Sequence, residues 1–136
     1  MRGLNRVEIM GHLGADPEMR YSPTGRAVTN FRVAVNRRWR DSEGQPQQRV
    51  EWFRVVVWGR QAEVANQYLT KGAPVYVSGR LQTRSFEGND GQTRYITELV
   101  GRELILLPRG NGHPAAEDEI EEDVETEEVM LEELPL

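Results

Sequence analysis

Cysteine is absent from the 136 residues, so neither a disulfide framework nor a thiolate metal site can form, and a reducing compartment is the natural setting. Histidine occurs only at positions 12 and 113. There is no P-loop, no Gly-x-Ser-x-Gly and no metal-ligand spacing. The usual routes to catalysis are therefore missing, and the expectation is a non-enzymatic protein that needs no cofactor and no metal. Nowhere do eighteen apolar residues run together, and the opening MRGLNRVEIMGHLG has no uninterrupted apolar stretch. Neither a membrane span nor a signal peptide is expected, which points to a cytoplasmic protein without a membrane partner. Lysine is nearly absent too: sixteen of the seventeen basic residues are arginine.

What is present divides by position. Residues 1–109 hold all 17 basic residues against 11 acidic ones, a net +6, whereas residues 110–136 hold the other 11 acids and no base. The overall charge of −5 thus hides a basic body and an acidic tail. All ten aromatic residues precede position 96. The stretch PRGNGHPAAEDEIEEDVETEEVMLEELPL opens on linker residues and is then too charged to bury a core. The expected organisation is a folded domain over 1–108 and a short linker with a disordered acidic tail over 109–136.

The first hundred residues alternate as strands do. Segments 4–13, 27–38, 50–58, 74–86 and 93–100 are β-prone, with 105–107 as a possible extension of the last. GADPEMRYSPTGR and DSEGQPQQ are expected as loops, and EGNDG as a hairpin turn. RQAEVANQYLTKG breaks the alternation with helical spacing, giving one short helix over about 60–70, with Gly72 at the C′ position and Pro74 following. Three strands, a helix, then two strands is the order of the five-stranded oligonucleotide-binding (OB) barrel, an all-β fold with its helix between the third and fourth strands. Another small mixed β fold has the same periodicity.

Alternation also sorts the faces. In VEWFRVVVWGR, Trp52, Arg54, Val56 and Trp58 share one face, and Phe53, Val55 and Val57 the other. The second set is enough to seal a core. The first sets an arginine between two indoles, an arrangement suited to a flat, anionic ligand. Arg80, Arg84 and Phe86 share a face of the following strand, and Trp39 sits among arginines in NRRWRD. Bases of single-stranded nucleic acid stack on such rings while arginines neutralise phosphates, and guanidinium can do both. Trp39 fits less simply. Strict alternation places it with Phe31, Val33 and Val35 on the core side, so either a bulge or loop intervenes near Arg37 or Trp39 packs. GHLG at 11–14 matches the loop with which KH domains clamp a nucleic-acid backbone, but its flanks read as strand and loop.

These segments resemble the bacterial-type single-stranded DNA-binding protein (SSB) family: RGLNRVEIMGHLGADPEMRYSPTGRAVTNFRVAVN at 2–36, WRD at 39–41, EWFRVVVWGRQAEVANQYLTKGAPVYVSGRLQTR at 51–84 and DGQTRYITE at 90–98. The resemblance implies an OB fold that binds single-stranded DNA during replication, recombination and repair. It implies base stacking on Trp39, Trp52, Trp58 and Phe86, with Trp39 turned out toward DNA, and it goes with phosphate contacts from Arg2, Arg54, Arg80 and Arg84. It implies a homotetramer, a nucleoid-associated location, and recruitment of replication and repair proteins through the tail end, Leu134, Pro135 and Leu136. Family members commonly carry phenylalanine at the third stacking position and tryptophan at the fourth, and here the two are exchanged. The family's long Gly- and Gln-rich linker is only about PRGNGHPAA here, and its aspartates followed by Ile-Pro-Phe are replaced by LEELPL.

Overall fold

A computed structural model describes residues 1–109; the expected acidic tail, with Leu134, Pro135 and Leu136, lies outside the described residues. The strands are β1 (Val7–Leu13), β2 (Glu18–Tyr21), β3 (Ala27–Arg40), β4 (Pro46–Trp58), β5 (Pro74–Glu87) and β6 (Thr93–Leu106), with one helix, α1 (Arg60–Tyr68), between β4 and β5. The sheet runs β1-β5-β6-β4-β3-β2, and β1 also pairs β3. That extra pairing closes β1, β3, β4, β5 and β6 into a five-stranded OB barrel, since a sheet that returns to its first strand leaves no open seam.

Closure happens at one corner. Residues Val7–His12 of β1 pair β5, and His12 and Leu13 pair Ala34 and Val33 of β3. Gly11 sits at this crossing, where an added Cβ would collide with the Ala34 carbonyl oxygen. A glycine is the residue that lets two backbones come this close. The GHLG segment is therefore strand and barrel corner, not a loop between helices.

The odd-numbered residues of the central strands face inward as alternation requires. Val33, Val55, Val57, Val75 and Val77 are fully buried together with Leu13, and Leu99 nearly so. α1 packs Ala62 and Ala65 into the core, and Leu69 just after the helix joins them. The buried Thr29 hydroxyl donates to the Ala62 carbonyl at 2.7 Å and ties the helix to β3. Gly72 takes φ +85°, but in the turn where the Ala73 amide donates to the Thr70 carbonyl. It lies beyond the helix end, because α1 stops at Tyr68 with Leu69 as an extended cap.

Three stretches differ from the sequence-based expectation. Part of GADPEMRYSPTGR forms the short β2, which pairs the edge of β3. Gln47 and Gln48 of DSEGQPQQ, with Pro46 before them, open β4 rather than sitting in a loop, paired to β3 as far as Arg40↔Pro46. β6 runs unbroken to Leu106, with a register shift at Ser78/Gly79 of its partner β5. In each case backbone pairing to a neighbouring strand overrides a turn-like or polar composition.

Candidate nucleic-acid interface

The β3–β4 register is continuous from Val28↔Trp58 to Arg40↔Pro46. Even-numbered residues of both strands therefore share the outer face: Ala34 lies opposite Trp52, Arg32 opposite Arg54, Asn30 opposite Val56. β6 joins beside β4 through the parallel pair Val56↔Val100, and β5 brings Arg80 opposite Val100, Gln82 opposite Glu98 and Arg84 opposite Ile96. The result is a groove of about 600 Å³ with Val28, Val56 and Val100 among its lining and Trp58, Arg26, Arg80 and Arg84 around it. A mixed lining that sets valines and an indole beside guanidinium groups matches the requirements of a stacked, charged strand.

The tryptophans already carry cationic partners. Arg26 lies 5.0 Å from the Trp58 ring centre, Arg32 5.0 Å from Trp52 and Arg37 4.9 Å from Trp39. At these distances the ring quadrupole attracts the cation. Each indole thus offers one flat face next to positive charge.

The arginines expected to hold phosphate are placed unequally. Arg80 is exposed on the groove wall. The Arg84 Nε donates to Glu98 Oε1 at 2.9 Å. Arg54 keeps only 10% of its side chain exposed and stands 3.9 Å from the same carboxylate. Glu98 itself is 3% exposed. Burial holds the Arg54 guanidinium below its ordinary pKa, and the Glu98 charge opposes that shift. Arg54 is thus part of the floor beneath the groove. Arg2 is exposed in the segment ahead of β1, a segment fastened to β5 by the Asn5 amide, which donates to the Leu81 carbonyl at 2.8 Å.

The rings are not all on one face. Trp52 and Trp58 are half-buried on the outer face of β4, Trp52 packing on Ala34. Phe86 is half-buried further along β5, opposite Arg94. Trp39 is 39% exposed and pairs Gln47 with no bulge anywhere between it and the barrel. Neither reading drawn from alternation holds. Trp39 stays on the odd face, and is exposed because the ribbon runs past the end of the barrel and residues 36–40 have no core beneath them.

Sequence reasoning passed over Arg26, Arg32 and Glu98. Glu98 left a signal in RYITELV, a lone carboxylate at an even position of an apolar strand that faces a strand of arginines.

The Single-strand binding protein family profile matches residues 4–107. The chain belongs to that family. The Chlorobaculum tepidum "Single-stranded DNA-binding protein 1" is 48% identical over 107 residues, which are 78% of this chain and 66% of that relative, so the chain spans just under two thirds of the relative's length. A solved structure titled "Plasmodium falciparum SSB complex with ssDNA" superposes with a TM-score of 0.74 at 32% identity, covering 79% of this chain and 98% of that one. The family match covers all six strands and the groove. No helix among the described residues is long and apolar enough to cross a membrane.

Proposed function

We propose that this member of the family binds single-stranded DNA without sequence preference and without catalysis. Bases stack on Trp52, Trp58, Phe86 and Trp39, and phosphates meet Arg80, Arg84 and the exposed Arg2, while Arg54 supports the floor. The observation that carries the reading is the groove itself, which brings Trp58 and four arginines, Arg20, Arg26, Arg80 and Arg84, together with Val28, Val56 and Val100. The similar Plasmodium protein was solved with ssDNA, which supports the same ligand here. In this reading the protein coats exposed strands during replication, recombination and repair in the cytoplasm, at the nucleoid, and its tail recruits partner proteins.

Assembly into a homotetramer has support on another face. Met10, Tyr76 and Ile105 lie opposite one another across β1, β5 and β6, and Met10 is 60% exposed. Val7–Gly11 pair only β5, so the other edge of β1 is open to a second copy of the chain.

Titrating oligo(dT) into the protein while following tryptophan emission tests the binding reading. Stacked indoles are quenched, and the affinity falls steeply as salt rises because counterions are released. Emission unchanged by oligo(dT), or binding insensitive to salt, refutes it. Light scattering on the eluted protein tests the assembly, with Met10→Glu expected to lower the mass.

A further inference from the structure

The β3–β4 hairpin contains two pairs of arginines directly opposite each other: Arg32↔Arg54 and Arg37↔Arg49. Like charges facing across a ladder are destabilising, so each pair calls for a counter-charge. The first has one built in, since the buried Glu98 carboxylate stands 3.9 Å from Arg54. The second lies on the projecting part of the ribbon, where Arg37 and Arg49 are both exposed. Glu51 reaches Arg49 at 3.4 Å. Arg37 lies over the Trp39 ring at 4.9 Å. The nearby Asp41 accepts the Glu43 and Gln45 amides, both at 2.9 Å, and the Gln47 amide at 3.2 Å, and so is committed to the turn.

Resting on the single-strand binding reading, we propose that Arg37 and Arg49 form a phosphate clamp on the arm, with Trp39 as its adjoining base platform. All three are odd-numbered and lie on the ribbon face opposite to Trp52 and Trp58, because the register contains no bulge. A strand that leaves the groove and reaches Trp39 therefore passes around the ribbon instead of continuing along one face. Glu51 gives the pair one counter-charge, on the Arg49 side; at the clamp a phosphate adds a second between the two guanidinium groups, and Arg37, weakly hydrated and planar, remains beside the indole while it does so.

The test replaces both arginines, Arg37→Gln with Arg49→Gln, in the full chain. A charge-matched control, Arg60→Gln with Arg102→Gln, lies outside the arm. Binding to a long oligo(dT) is measured over a salt series, together with thermal unfolding. Removing two phosphate contacts lowers the magnitude of the log–log salt slope by about 1.4, at about 0.7 per contact on single strands, and the melting temperature stays level or rises as the facing charges disappear. The control leaves the slope near that of the parent. An unchanged slope with intact binding, or an equal loss in the control, overturns the clamp while leaving the binding reading in place. A drop in melting temperature would assign the pair to folding and also overturn it. Failure of the parent protein to bind oligo(dT) overturns the binding reading and the clamp together.

Discussion

Glu98 is the residue on which the chemistry of the groove floor depends. One carboxylate, almost sealed from solvent, serves Arg84 at 2.9 Å and Arg54 at 3.9 Å. Removing one partner of a buried ion pair strands the other charge in low dielectric, at about 3–5 kcal/mol. Glu98→Ala is expected to lose stability on that scale in urea denaturation, and Glu98→Gln less, because the amide still accepts a hydrogen bond. The same reasoning separates the arginines. Arg80→Gln should lower the salt slope by about 0.7, the single-strand value for one phosphate, whereas Arg54→Gln should act on stability with little change in slope. The two faces of β4 divide similarly. Trp52→Ala and Trp58→Ala should each weaken ssDNA binding by about 1–3 kcal/mol if each ring holds one base. Phe31, buried in the core, should instead lose about 3–5 kcal/mol of stability on truncation to alanine. Phe53 is only half-buried at the barrel rim, so its truncation falls below that range. Fluorescence titration and chemical denaturation of the same variants distinguish the two classes of effect.

At the scale of the element, backbone pairing decides what composition leaves open. Alternation in 50–58 and 74–86 was enough to sort Val55, Val57, Val75 and Val77 inward from Trp52, Trp58, Arg80 and Arg84 outward, because the period of two is a property of the strand alone. Helical spacing likewise located α1 to within two residues. The long β3–β4 ribbon was not legible: Gln47 and Gln48 carry no strand preference, and pairing to Trp39 and Arg38 places them in the ladder. The exposure of Trp39 followed from the ribbon's length and not from its alternation. The role of Glu98 was hidden for a related reason, since it depends on β6 meeting β4 in parallel, a contact between segments about forty residues apart in sequence. Gly11 belongs to the same scale. Gly11→Ala puts a methyl group against the Ala34 carbonyl at the closing corner, and such overpacking is worth about 1–3 kcal/mol. A lowered urea midpoint with an unchanged slope would locate the damage in the closed barrel; an unaltered midpoint would mean that the corner relaxes freely.

The whole molecule is divided by charge, with a body of net +6 over 1–109 and 11 carboxylates after it. The described residues end at Arg109, whose guanidinium donates to the Thr70 hydroxyl at 2.6 Å and to the Lys71 carbonyl at 3.2 Å. Tethering keeps the local concentration of those acids near the groove high whatever the protein concentration. They should act as a weak internal competitor for the DNA track, screened by salt because the Debye length is only about 8 Å at physiological ionic strength. Deleting residues 117–136 is then expected to tighten binding of oligo(dT) at low salt, with a gain that shrinks as salt rises. On this proposal DNA binding should in turn free the end of the chain, and Leu134, Pro135 and Leu136 should then enter an apolar pocket ringed by basic residues on a partner. A leucine fills a pocket shaped for a phenyl ring less completely, so Leu136→Phe in the tail peptide should bind such a partner more tightly. Parallel titrations of the full and shortened chains at two salt concentrations are decisive for the competitor role. Equal affinities at low salt would assign the acidic segment to solubility or to partners alone, and leave the groove's own charge as the sole electrostatic determinant of DNA binding.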